Sequence, residues 1–221
     1  MAQAIVTGAN KGIGLALVEL LRQREMNVLA TCRKSSTALE RTGAEIVSGI
    51  EVTDDAGLAK LVAAVGTRSI DLLINNAGIM VWPETLAELD PSAIRRQFEV
   101  NALAPLRITH ALRARLGKGA KVGLITSRMG SIDDNGSGGA YGYRMSKAAL
   151  NMAGKSLSVD LKPAGVAVAI LHPGMVKTEM TGDHGQVEPL DAARGLLARL
   201  DEVTLETTGG FWHANGQRLP W

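Results

Sequence analysis

Two side chains four residues apart, Tyr143 and Lys147, are the most pointed chemical pair in this sequence. On a helix that spacing puts both on one face. A free phenol loses its proton near pH 10, and a nearby ammonium favours the phenolate. Bringing the phenol close to neutrality takes a shift of about 3 units, or roughly 4 kcal/mol, within reach of two cationic neighbours in a dry cleft. Tyr143 is therefore a candidate proton donor and acceptor. The only other tyrosine, Tyr141, has no lysine four residues on. A second segment with chemical content is the turn Thr7-Gly8-Ala9-Asn10-Lys11-Gly12-Ile13-Gly14. Gly8 permits a sharp turn, Gly12 lets backbone approach a ligand, and Gly14 allows helix to pack closely on strand. The helix N-terminus then presents free amides to an anion, supported by the macrodipole. The Gly-x3-Gly-x-Gly spacing lacks the Gly-Lys-Ser/Thr ending of a P-loop, so a nucleoside triphosphatase is disfavoured.

Other chemistries find less support. The histidines His110, His172, His184 and His213 and the single Cys32 show no metal-ligand spacing, so no metal is expected. No G-x-S-x-G elbow supports a hydrolase.

The elements that must position these groups alternate along the chain. Short β-branched or aliphatic runs fall at 4–7, 28–31, 45–47, 72–75, 121–126 and 166–171, with a last short run at 209–212. Stretches with helical spacing fall at 13–24, 55–65, 92–116 and 140–162. Continuous apolar runs fit strands buried on both faces, which predicts an α/β fold. We expect one Rossmann-type domain over 1–221, a doubly wound parallel sheet with helices on both faces. In such a sheet ligands bind outside the carboxyl ends of the strands. The segments 8–14, 32–35, 51–53, 75–78, 127–130 and 172–178 all occupy that edge, so one cleft is expected. The longest irregular pieces, 131–139 and 181–189, are candidates for functional loops.

Composition narrows the partners. The 221 residues are 46% hydrophobic and 21% charged, too apolar for disorder. No apolar run reaches the ~18 residues of a membrane span. The first fourteen residues lack the basic start and apolar stretch of a secretory leader, and one cysteine cannot form an intrachain disulfide, so a cytoplasmic location is expected. The net charge of +2 is spread without a basic block, and with two Phe, two Tyr and three Trp there is little to stack bases, so nucleic acid is not an expected partner.

Taken in order, the glycine turn, Asn75-Asn76-Ala77-Gly78, Asn101, Ser127, Tyr143-Arg144-Met145-Ser146-Lys147 and Pro173-Gly174-Met175-Val176-Lys177-Thr178 resemble the motifs of the classical short-chain dehydrogenases/reductases over essentially the whole chain. The short length and the ending Leu219-Pro220-Trp221 look most like the C-factor and sniffer-type carbonyl reductase subgroup. The resemblance implies a dinucleotide cofactor bound by Gly8, Asn10, Lys11, Gly12, Ile13 and Gly14, with Glu51-Val52 beside the adenine and Asn76, Ala77 and Gly78 along its course. Glu51 stands where the family usually has the shorter Asp. Pro173, Gly174, Val176 and Thr178 would face the carboxamide or a phosphate. Tyr143 would protonate the carbonyl oxygen in reduction and accept the proton in oxidation, and Lys147 would also hold the nicotinamide ribose. Ser127 would donate a hydrogen bond to the substrate oxygen; Ser131 is its competitor, but Ser127 adjoins the strand end. Asn101 resembles the residue that bends its helix around a water feeding the Lys147 relay.

The second strand discriminates between cofactors. A carboxylate at its tip would bind a free ribose 2′-hydroxyl, whereas a basic group pairs with a 2′-phosphate. Here the tip reads Thr31-Cys32-Arg33-Lys34 with no acid, and Lys11 adds charge on the same side, so NADP(H) is expected. Met80, Val81, Trp82, Met129, Met175 and Met180 suggest an adaptable apolar wall for a small or medium aldehyde, ketone or quinone. An alternative is an NADP(H)-binding signalling protein of the C-factor type with little turnover, although pure binding needs no proton donor. A sugar-nucleotide epimerase would need a larger carboxyl-terminal domain. By the same resemblance, helices 92–116 and 140–162 predict a homodimer or homotetramer.

Overall fold

Each apolar run becomes a strand of one seven-stranded sheet in the computed structural model, which describes residues 2–221. The strands are β1 (Gln3–Thr7), β2 (Asn27–Thr31), β3 (Glu45–Val47), β4 (Ile70–Asn75), β5 (Leu116–Ile125), β6 (Ala167–His172) and β7 (Gly210–His213). Their spatial order is β3-β2-β1-β4-β5-β6-β7, and every neighbouring pair is parallel. The order changes direction between β1 and β4, which opens a crevice at their carboxyl ends.

Both faces of the sheet are covered, which is why the strands are apolar without alternation. Ala4 and Val6 of β1, with Ala167, Ala169 and Leu171 of β6, join one core. That core packs on α1 (Gly12–Gln23) and α7 (Pro189–Glu202) through residues such as Leu17, Leu21, Leu196 and Leu197. Ile5, Val168 and Ile170 point the other way. They meet α3 (Asp55–Val65), α5 (Ala104–Leu112) and α6 (Tyr141–Asp160) through Leu61, Ile108, Leu112 and Leu150. A four-residue helix, α2 (Thr37–Glu40), follows β2, and α4 (Pro91–Phe98) precedes α5.

Two expectations need revision. The single helix read over 92–116 is interrupted. It starts at an Asp90 cap with Pro91 in the first turn, widens into a π turn at Glu99–Leu103 and resumes as α5. Pro105 has no N–H to give the carbonyl four residues earlier, that of Asn101, so the α pattern cannot run through. A 3₁₀ turn at Arg113–Arg115 then ends the helix, and β5 begins at Leu116, five residues before the predicted run. The other omission is α7. Its apolar residues Ala193, Leu196, Leu197 and Leu200 are spaced as one helical face, a signal that the charged residues between them obscured.

Candidate active site

The glycine turn is built by hydrogen bonds to the loop after β4. Thr7 Oγ1 accepts from the backbone N–H groups of Asn76 and Ala77, each at 3.0 Å. Asn76 Nδ2 donates back to the carbonyls of Thr7 and Gly8 at 2.9 and 3.2 Å. Gly8 has φ +65°, and a Cβ there would stand 2.9 Å from Ala77 Cα. The residue types at this turn are thus required by the contact between the two loops as well as by any ligand.

Between them lies a cleft of about 680 Å³ running along the carboxyl edge. Gly8, Asn10, Lys11, Gly12, Ile13 and Gly14 line it, as do Arg33, Glu51, Val52, Asn76, Ala77 and Gly78. Tyr143, Lys147, Pro173 and Thr178 also line it, Thr178 close to the glycine turn, where a Cβ on Gly12 would stand 3.2 Å from its Cγ2. Asn101, Ser127, Gly174 and Val176 do not face this cavity. Asn101 stands behind Lys147, and Ser127 is hydrogen-bonded to the Tyr143 phenol. Val176 is buried and bridges to Val187, while Gly174 packs toward His213, so both shape the loop rather than the cleft wall. The sequence reading missed Ile50, Arg96, Val100 and Glu179 among the lining residues. Arg96 and Val100 lie one helical turn apart on the α4–π segment, a face that becomes legible only when that segment is seen against the sheet. Lys11 forms an ion pair with Glu179 across the mouth, joining the glycine turn to the loop after β6. Arg33 is exposed at the rim.

The catalytic candidates converge on α6. Lys147 is buried, its Nζ donates to the Ile125 carbonyl at 2.9 Å, and it lies 5.7 Å from the centre of the Tyr143 ring. Burial lowers the Lys147 pKa to about 8. Burial also pushes the Tyr143 phenol above its usual value, opposed by its hydrogen bond with Ser127. The protein's own groups thus leave the phenol protonated at neutral pH; of the two cations expected beside it, the chain supplies only Lys147. Asn101 is fully buried in the π turn. Its Oδ1 accepts from Ile79 N–H at 2.8 Å, and its Nδ2 donates to Ile79 O at 2.8 Å and Ser146 Oγ at 3.0 Å. A Cβ at Gly78 would lie 3.2 Å from Asn101 Oδ1 and 3.6 Å from Lys147 Nζ, so these three groups share one spot. Ser131, the competitor to Ser127, is turned away, its hydroxyl donating to the Trp221 carbonyl at 2.9 Å. The arrangement can place a proton on, or take one from, an oxygen near Tyr143 and Ser127, beside an anion-binding glycine turn.

The chain belongs to the short chain dehydrogenase family, whose model matches residues 2–188. It is 41% identical to 1-hydroxy-2-glutathionyl-2-methyl-3-butene dehydrogenase of Rhodococcus sp. (strain AD45), over the whole of both chains. It is 45% identical to the C-signal protein of Myxococcus xanthus, over 71% of this chain and 96% of that one. Among solved structures it superposes on an NADPH-bound carbonyl reductase from chicken fatty liver with a TM-score of 0.92 and 31% identity, covering all of this chain and 99% of the other.

One half-buried base lies beside this site. His172, at the end of β6, packs edge-on to His213 with centroids 4.9 Å apart, and its Nδ1 is buried without a partner among the described residues. Burial, reinforced by His213, Arg128 and Lys147, lowers its pKa to about 3. The folded protein thus holds His172 neutral at a pH where the unfolded chain takes up a proton, so stability falls as pH drops from about 6.5 toward about 3. Between pH 7 and pH 5 this residue is expected to cost wild type about 2 kcal/mol. Urea unfolding at the two pH values should show a correspondingly smaller difference for His172→Asn.

Proposed function

We propose that the chain is an NADP(H)-dependent oxidoreductase that interconverts a carbonyl compound and its alcohol, with Tyr143 as proton donor and acceptor. The observation that carries this reading is that Tyr143 and Lys147 line the same cleft as a helix N-terminal glycine turn, with Ser127 hydrogen-bonded to the Tyr143 phenol. The residues present fit a dinucleotide. Gly8 and Gly14 leave no room for side chains at the turn, where a Cβ on Gly14 would stand 2.2 Å from the Gly8 carbonyl, and the amides of α1 are left to an anion. At the β2 tip Arg33 supplies positive charge without an opposing acid on that strand end, the pattern suited to a 2′-phosphate, and Lys11, paired with Glu179 in the structure, would turn to the phosphate as a second cation. The NADPH-bound carbonyl reductase to which the chain is similar supports the same choice.

When bound, the nicotinamide would supply or accept the hydride and, oxidised, add a positive charge near the phenol. The protein's own groups do the rest. Ser127 donates to the substrate oxygen as negative charge develops there, and Tyr143 delivers or removes the proton at that oxygen. Lys147, protonated below about pH 8, stabilises the phenolate and holds the ribose. Asn101 keeps the π turn open behind Lys147 for proton resupply. Of the residues read as an apolar wall only Met180 lines the cleft, and it, with Met80, Val81, Trp82, Met129 and Met175 on the loops beyond, suits an apolar aldehyde, ketone or quinone. The full-length identity with the Rhodococcus dehydrogenase favours a second substrate reading, an alcohol carrying a glutathionyl thioether. Similarity to C-signal keeps a signalling role as the competing class, but Asn101, Ser127, Tyr143 and Lys147 are all in place, and binding alone requires none of them. A reaction drawing on reduced dinucleotide fits a cytoplasmic location. Met145, Met152 and Val159 lie seven apart on the outer face of α6, exposed, and we assign them to the homo-oligomer contact.

Three measurements test this reading. A panel of apolar carbonyls with NADPH, and of alcohols including a glutathionyl alcohol with NADP⁺, should give turnover that Tyr143→Phe lowers at least ~1000-fold; equal rates for the two proteins would favour the signalling role. Because the Lys147 cation is lost as pH rises through about 8, kcat/KM for reduction should be level below that pH and decline above it. Replacing Arg33 and Lys11 together by Ala should raise KM for NADPH about 10-fold or more while KM for NADH changes little. For the assembly, Met152→Glu should shift the sedimentation of the protein to that of a monomer.

A further inference from the structure

Glu84, in the loop after β4, is a carboxylate only 5% exposed, and no ion pair reaches it among the described residues. Burying such a charge is unfavourable unless hydrogen bonds replace the lost water. Its Oε2 accepts from the Gly142 N–H at 2.7 Å, and its backbone carbonyl accepts from the Ala140 N–H at 2.9 Å. Ala140, the residue before α6, sits in the left-handed region at φ +48° and offers no side-chain cap. The first turn of α6 therefore takes its cap from a residue 58 positions earlier, and the negative charge meets the positive end of the helix dipole.

The surroundings leave no slack. Gln97 of α4 is fully buried and accepts from the Val81 N–H at 3.0 Å. A Cβ on Gly142 would stand 2.4 Å from Gln97 Nε2, 3.1 Å from Glu84 Oε1 and 3.1 Å from Ile94 Cα. The segment from Ile79 to Glu84 is thus fastened at Ile79 by Asn101, at Val81 by Gln97 and at Glu84 by the start of α6. Tyr143 is the next residue after the one that Glu84 holds.

We infer that Glu84 is a positioning residue for the proton-transfer step: its hydrogen bond to the Gly142 N–H holds the first turn of α6, and with it the Tyr143 phenol, at the height where phenol and Ser127 meet one oxygen. This rests on the oxidoreductase reading. Glu84→Ala removes the acceptor, whereas Glu84→Gln keeps an oxygen in its place. In Glu84→Ala, kcat should fall about 10-fold or more with KM for NADPH within about 2-fold, and Glu84→Gln should keep a third or more of wild-type kcat. Equal kcat in the two variants, whether both high or both low, overturns the inference. Should Glu84→Ala fail to fold, Glu84→Asp, whose carboxylate stops one methylene short, takes its place with the same expectation. Hydrogen exchange supplies a readout free of turnover. The Gly142 amide should exchange at least ~10-fold faster in Glu84→Ala and near the wild-type rate in Glu84→Gln; unchanged exchange in Glu84→Ala likewise overturns it. Loss of the oxidoreductase reading is seen separately, as equal rates for wild type and Tyr143→Phe.

Discussion

The side-chain amide of Asn101 is completely buried, so each of its polar atoms must find a partner inside the protein or incur the full cost of desolvation. It finds them on both sides, on the backbone of Ile79 after β4 and on Ser146 of α6. A single satisfied amide therefore couples the loop that supports the glycine turn to the helix that carries Tyr143 and Lys147. The π turn around it follows from Pro105, which withholds a donor from the Asn101 carbonyl. Remove that bracket and, among the described residues, the loop after β4 is tied to α6 by hydrogen bonds only through Glu84, at the first turn of the helix.

Burial is the second constraint, and it acts on function as well as on stability. The apolar strands that demand helices on both faces leave the loops at the carboxyl edge to supply the polar groups that line the cleft, so the chemistry collects there. The same dryness holds Lys147 near pH 8, keeps His172 neutral and raises the phenol of Tyr143. A site in this state favours the protonated phenol until a further cation and a developing negative charge on substrate oxygen change the balance. That suits a donor in reduction, and it makes the reverse direction depend more strongly on the oxidised cofactor's charge.

Membership of the short chain dehydrogenase family rests on a match spanning residues 2–188, and the similarity to an NADPH-bound carbonyl reductase extends over the whole chain. The relatives diverge in what their names say they do, a glutathionyl alcohol, a carbonyl and a signal. In this chain the loops after β4 and β6 contribute Ile79, Lys177, Thr178, Glu179 and Met180 to the lining of the cleft. Trp82, Leu86, Ile132 and Met175 are exposed apolar residues on loops outside that lining, whereas Tyr143 and Lys147 face the cleft with Ser127 and Asn101 packed beside them.

By itself the sequence determined the parallel sheet, most of its strand positions, the glycine turn and the candidate pair Tyr143 and Lys147. Each of these is written in local spacing: continuous apolar runs, glycines at a strand–helix junction, and Tyr and Lys four apart. Tertiary structure decided what depends on contacts between distant segments. The break in the helix around Asn101, the turning of Ser131 toward Trp221, the bridge from Lys11 to Glu179 and the capping of α6 by Glu84 all join residues with no local signature. The balance of terms on Tyr143 belongs there too, because desolvation depends on how much protein surrounds a group, and that is known only once the chain has packed.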